Sequence, residues 1–295
     1  MLARQPTPVR PIAVPSVSRA RLPLIALLGV VGPLVAGETP SFTPLGHLGS
    51  GTQSFAMGVS ADGSVVVGYS RYDATRNTEA FRWTATGGMV GLGGLTGGVV
   101  NSRAMGVSAD GQVIAGAAEQ AFRWTAAGGM EPLGPVPGTC SALGISADGT
   151  VIVGWCASLA GNESFRWTQG TGIVILGGLP ATILDNFASD ASADGSVLCG
   201  QSQSGEFNVE PTRWTQATGM VGLGDLPGGQ FYALGWAISG DGSVIVGEAI
   251  SDIGWEAFRW TPDNGLQSLD PNAAAVFSSF ARDISADGAV VVGSA

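Results

Sequence analysis

One phrase recurs six times along the chain and restricts its fold more than any other feature. It is a serine, a small residue, Asp-Gly, a small or polar residue, three apolar residues and a glycine. Its first copy is Ser60-Ala61-Asp62-Gly63-Ser64-Val65-Val66-Val67-Gly68. Asp110, Asp148, Asp194, Asp241 and Asp287 take the place of Asp62 in the later copies, at intervals of 48, 38, 46, 47 and 46 residues. A second phrase, Ala80-Phe81-Arg82-Trp83-Thr84 in its first form, and a third, Gly88-Met89-Val90-Gly91-Leu92-Gly93, each follow five times. Periods of about 40–50 residues holding several strands each are the pattern of propeller blades.

Four strands fit each repeat. Strand a is expected over Phe55 to Ser60, where Phe55, Met57 and Val59 alternate with Ala56 and Gly58. Asp62-Gly63 supplies the positive φ of a tight hairpin turn. Strand b, Val65 to Val67, is apolar on both faces and so is expected to be buried on both. Strand c is Ala80 to Thr84, and a Gly87-Gly88 turn leads to strand d, Met89 to Leu92. Phe81 and Trp83 point one way and are expected between blades. The composition agrees: 47 glycines, 12% charged residues, and 13 arginines with no lysine suit strands and tight turns better than surface helices.

Spacing separates constant from variable connections. Asp62 to Gly68 is six residues, and this holds in every copy. Trp83 to Leu92 is nine, and this holds in all five copies. Gly68 to Phe81 is 13, but Gly116 to Phe122 is 6 and Gly154 to Phe165 is 11. In an up-and-down blade the b–c and d–a connections share one face, so the variability lies on one face of the disc. Variable loops on a rigid scaffold are where binding concentrates.

These phrases together resemble the bacterial extracellular repeat proteins of the HAF family, over roughly residues 45–295. The resemblance rests on the Ser-X-Asp-Gly turn, the Val-Val-Gly strand, the Ala-Phe-Arg-Trp strand and the Gly-Met-X-X-Leu-Gly strand. It implies a secreted or surface-displayed protein. The chain departs from the family's name, with Glu79, Gln120 or Glu256 where the histidine would stand. The turns also resemble those of TolB-type propellers. The expected fold is all-β, a β-propeller of six four-stranded blades with the last incomplete; seven blades or an open array are the alternatives. Phe42 to Leu48 is expected as a lone strand d, and Ser279 to Ala295 supplies only strands a and b, for 23 strands in all.

Residues 1–37 read as a secretion signal. Arg4, Arg10, Arg19 and Arg21 precede an apolar run from Leu22 to Ala36, with small residues at Ala36 and Gly37. Residues 38–295 form a single repeat domain, expected outside the cell or at its surface, with the periplasm as the other destination, and as a monomer. Without residues 1–37 the net charge moves from −10 to about −14, which argues against nucleic acid and anionic lipid as partners.

Residues present in every copy are assigned to the scaffold. The turn aspartates Asp62, Asp110, Asp148, Asp194, Asp241 and Asp287 are expected to bond turn amides. Arg82, Arg123, Arg166, Arg213 and Arg259 are expected to pair with a carboxylate or stack on a neighbouring tryptophan. Cys140 and Cys156 flank the turn at Asp148 and are disulfide candidates; Cys199 is expected as a buried free thiol. Familiar catalytic and metal motifs are missing, and His47 is the sole histidine. No cofactor or metal is expected, and the chain reads as a binder, not an enzyme. The ligand-binding candidates do not repeat: Tyr69, Arg71, Tyr72, Trp155, Phe207 and Trp255 on b–c connections, and Tyr232 on a d–a connection. Exposed aromatics beside polar groups suit a glycan or a protein partner. The alternatives are a carbohydrate-active hydrolase using loop acids, with Glu206 and Glu210 or Asp252 and Glu256 as candidates, and a purely structural surface repeat.

Overall fold

The computed structural model describes residues 42–71, 77–95, 100–135, 138–180, 184–205, 208–270 and 278–295. The secretion-signal segment, Glu206, Tyr72 and Phe207 lie outside the described residues. Residues from Pro44 onward form one compact unit. Among the described residues there are 22 strands and no helix, hence no helix long and apolar enough to cross a membrane.

The first sheet is β1 (Gln53–Val59), β2 (Val65–Arg71), β3 (Thr78–Thr84) and β4 (Gly88–Gly91), antiparallel in chain order. The same order recurs from β5 (Arg103–Val107) to β8 (Gly129–Pro132), from β9 (Cys140–Ile145) to β12 (Gly172–Ile175), from β13 (Leu184–Ala191) to β16 (Gly219–Gly222) and from β17 (Ala233–Ile238) to β20 (Gly265–Ser268). A sixth sheet holds β21 (Phe280–Ile284) and β22 (Val291–Ser294) alone. The sheets are propeller blades. A short parallel pairing of Gly161 and Asn162 in β11 (Gly161–Thr168) with Leu184 and Asp185 ties the third blade to the fourth.

The repeated serine and aspartate build each a–b turn. In the first, Ser60 Oγ donates to Asp62 Oδ1 and accepts the Val65 N–H, while Asp62 Oδ1 accepts the Ser64 N–H. The five later turns repeat this set. The turns are also stitched to one another: Ala61 N–H donates to Ala109 O, Ala109 to Ala147, Asp148 to Ala193, Ala193 to Gly240 and Gly240 to Ala286. This belt satisfies backbone groups that would otherwise be unpaired between sheets.

Packing follows one rule. Val65 and Val67 of the first blade lie against Ala104, Ile114 and Phe122 of the second. Val151 and Val153 of the third lie against Ala188 and Leu198 of the fourth. Val244 and Val246 of the fifth lie against Ala281 and Ile284 of the sixth. Phe81, Phe122, Phe165 and Phe258 are fully buried. The tryptophans vary more: Trp167 and Trp214 are buried, whereas Trp83, Trp124 and Trp260 are half-buried.

The rule stops between the sixth blade and the first. Ile114, Ile152, Leu198 and Ile245 are buried by the preceding blade, but the equivalent Val66 is only half-buried, so strand b of the first blade is not covered on both faces. Val290 and Val292, which would face it, are 59% and 55% exposed. A Cβ on the turn glycine would meet Val65 at Gly111, Val113 at Gly149, Val151 at Gly195 and Val197 at Gly242; at Gly63 it would meet nothing within 4 Å. The turn belt likewise has no bond from Ala286 N–H to Ala61 O among the described residues. The array has an open seam.

Phe42 to Leu48 is not a strand, which corrects the expected count of 23. Leu45-Gly46-His47-Leu48 takes the place of the d–a connection instead. Ser54 Oγ donates to Gly46 O as Ser102 Oγ does to Gly93 O, and Leu48 N–H donates to Ser70 Oγ as Leu179 N–H does to Ser202 Oγ. The repeated arginines also differ from expectation. Arg166 and Arg213 reach over the next blade's turn to the carbonyls of Gly195 and Gly242, at 3.5 Å each. The cation–aromatic contacts belong to Arg71, Arg103 and Arg282, which do not repeat.

Candidate functional site

Two regions gather side chains that differ between repeats. The first is the end of the array where the variable connections emerge. Strand a begins there and strand b ends there. Phe55 stacks on Tyr69 with centroids 4.9 Å apart, and Arg103 of the next blade lies 5.0 Å over the same tyrosine. Trp155 of the third blade meets Phe187 of the fourth edge-on at 5.8 Å. Tyr232 and Trp255 are 5.7 Å apart, and Trp255 is 6.3 Å from Phe280 of the sixth blade. The candidate aromatics Tyr69, Trp155, Tyr232 and Trp255 are therefore half-buried residues that pair across neighbouring strands and blades, not freely projecting ones. Arg71 binds Gln53 Oε1 and lies over Phe55. Phe55 and Phe231 are the more exposed aromatics here, each at 38%.

Local bonds explain this arrangement. Val209 N–H donates to Phe231 O and Ile250 N–H to Tyr232 O, so the d–a segment lies along both neighbouring strands. Asp225 accepts the Leu226 and Tyr232 N–H groups, and its burial raises its pKa. Cys140 and Cys156 are joined by a disulfide across the directly paired strands of the third blade. Cys199 is buried and free, with burial raising its thiol pKa.

Two of the four acids considered for hydrolysis are engaged elsewhere. Glu210 and Glu256 are not on loops; they lie in β15 (Val209–Thr215) and β19 (Gly254–Thr261). Glu210 accepts the Gly224 N–H, Glu79 accepts the Gly93 N–H, and Glu256 accepts the Ser268 hydroxyl. These three equivalent glutamates thus tie strand c to strand d or to the segment just after it.

The second region is an axial cavity of about 690 Å³, lined by strand a of every blade. Two successive positions of that strand diverge around the ring. The first is Met57, Met105 and Leu143 in blades one to three, then Ser189, Trp236 and Arg282. The second is Gly58, Gly106 and Gly144, then Asp190, Ala237 and Asp283. One half of the wall is apolar and the other polar. Asp190 Oδ1 accepts the Ala191 N–H and Oδ2 the Ile238 N–H of the fifth blade. Burial pushes its pKa up to about 7, with the Asp283 charge adding to the effect and the two amides opposing it. Arg282 pairs with Glu248 at 3.1 Å and lies 5.5 Å over Trp236. Burial raises the Glu248 pKa against the pull of Arg282. The sequence reading missed these residues because they sit in strand a, beside the constant turn. Their divergence between copies was the available signal.

No family model matches the chain, and no curated protein matches it. Solved structures do. TolB from Acinetobacter baumannii matches with a TM-score of 0.52 and 14% identity, over 72% of this chain and 53% of that one. A putative TolB from Agrobacterium tumefaciens matches at 0.51 and 15% identity, over 74% of this chain and 82% of that one. A prolyl endopeptidase matches at 0.53 and 12% identity, over 75% of this chain and 36% of that one. This chain therefore spans about half of the first TolB and about a third of the endopeptidase. At such identities the likeness is one of fold: the chain is an all-β propeller.

Proposed function

We propose that the chain is an exported binding module of the HAF-repeat type, which acts by holding a glycan or a protein on its variable face and not by turnover. The observation that carries this is the row of non-repeating aromatics, Phe55 with Tyr69, Trp155 with Phe187, and Tyr232 with Trp255, at the end where connection lengths vary. Flat, half-exposed rings held by their neighbours lose little entropy on meeting a partner. The disulfide supports an oxidising compartment. The bonds held by Glu210 and Glu256 weigh against the hydrolase reading.

Binding of the purified chain to a broad glycan array tests the proposal. Saturable binding, lost in Trp155→Ala and Trp255→Ala variants with unchanged circular dichroism, is the expected result. Release of a shortened glycan over time would favour hydrolysis. Silence would remove glycans and leave surface proteins as partners.

A further inference from the structure

The axial cavity is separate from the aromatic row, and its wall is chemically divided. Met57, Met105 and Leu143 supply an apolar half. Opposite stand Ser189, Asp190 and Asp283. Ser189 is only 8% exposed, and its hydroxyl is closed off from the cavity. The charge balance is one-sided. Among the described residues lining the cavity, Asp190 and Asp283 are acids and Arg282 is the one cation, already engaged by Glu248. Asp283 uses Oδ1 for the Ile284 N–H, while Oδ2 accepts no hydrogen bond among the described residues. What the polar half lacks is a donor carrying positive charge. What the other half offers is room and apolar surface, and the cavity volume lies in the range of small-ligand sites.

We propose that the axial cavity binds an amphiphilic cation, with an ammonium head between Asp283 and Asp190 and an aliphatic body against Met57, Met105 and Leu143. An ammonium supplies up to three donors, enough for one oxygen of each aspartate. A carboxylate of the same length would meet the Asp283 charge there and find no donor.

The test is calorimetric titration of the full chain with octylammonium, octanol and octanoate, all below their micelle concentrations. Octylammonium should bind saturably at one site, octanol at least tenfold more weakly, and octanoate not at all. Asp283→Asn keeps the acceptor for the Ile284 N–H and should weaken octylammonium about tenfold while leaving octanol unchanged. Met57→Trp, at a half-exposed position, should weaken both by filling the apolar half. Trp255→Ala should change neither, which separates this site from the aromatic row. Equal binding of octanol and octylammonium, an unchanged Asp283→Asn variant, or no saturable octylammonium binding would each overturn the proposal. If Asp283→Asn fails to fold, Asp283→Ser, whose hydroxyl can still accept the Ile284 N–H, carries the test in the same titration with the same expected contrast between amine and alcohol.

Discussion

Two alanine substitutions in the repeated turn measure the open seam directly. Gly63 and Gly195 occupy equivalent positions, with φ of 71° and 64°. Placing alanine at either forces a left-handed backbone conformation, at a cost of roughly 1–2 kcal/mol. Their surroundings differ. A Cβ at Gly195 would sit 2.3 Å from Val151 Cγ2 and 2.5 Å from Val151 Cβ, because the preceding blade presses on the turn. Val151 is 2% exposed and Cβ is fixed to the backbone, so rotamer change cannot clear both overlaps. Overpacking of that kind costs a further ~1–3 kcal/mol. At Gly63 nothing lies within 4 Å.

Gly195→Ala should therefore lose about 2 kcal/mol more than Gly63→Ala, a gap of about 4–8 °C in Tm for a domain of this size. Urea and thermal unfolding followed by circular dichroism read the difference. Adding Val151→Ala to Gly195→Ala should recover part of the deficit, since it removes the overlapping Cγ atoms, whereas Val290→Ala should not change the effect of Gly63→Ala. Equal losses at the two glycines would refute the reasoning: they would mean that Val290 of the sixth blade packs on the first turn as Val151 packs on the fourth.

Other perturbations reach other parts of the fold. Reducing the Cys140–Cys156 disulfide, which spans a sequence separation of 16, should cost about 3 kcal/mol of stability, visible as a lower urea midpoint in reductant; Cys199 should stay unreactive towards a thiol reagent until the chain unfolds. Asp190, with its pKa raised to about 7, favours the folded state fully below pH ~4 and loses that contribution as pH rises towards 7, a change of a few kcal/mol at about 1.4 kcal/mol per pH unit. Asp190→Asn should flatten this slope in unfolding curves measured between those limits. Asp241, lowered to about 2 chiefly by the Ser239 hydroxyl and the Ser243 N–H, acts in the opposite sense: its contribution is present above pH ~4 and is lost as pH falls towards 2. Asp241→Ala should shrink the acid limb of the stability profile, and an unchanged limb would show that the turn bonds do not couple to folding.

Much of the scaffold was legible because repetition averages out accident. Ser60, Asp62 and Gly63 recur with fixed spacing, and that spacing is what one hydrogen-bonded turn requires. Phe81 and its counterparts recur because each fills the same place between blades. The constant a–b and c–d turns, against variable b–c lengths, located the face carrying the aromatic row. The ends were harder to read. Leu45-Gly46-His47-Leu48 copies a connection and not a strand, and one copy of a motif cannot say which of its residues made the hydrogen bonds in the others. The state of Val66 was hidden too, since its sequence context matches that of Ile114 and only the absent neighbour distinguishes them.

The same averaging explains why the cavity wall escaped notice. Once an element is recognised as repeated, its residues read as scaffold, and attention passes to the loops. Strand a breaks that division. Its ends are held by the belt and by strand b, yet two positions in its middle line a shared axis, where no two blades need agree. Six similar strands can then build an asymmetric wall with Met57 on one side and Asp190 on the other without disturbing a single turn. A propeller can therefore change what its axis holds by substitution within strands, and what its rim holds by loop length. The two can diverge largely apart, because none of the paired aromatics lines the cavity and they meet at Arg282, which lies over Phe280 beside Trp255.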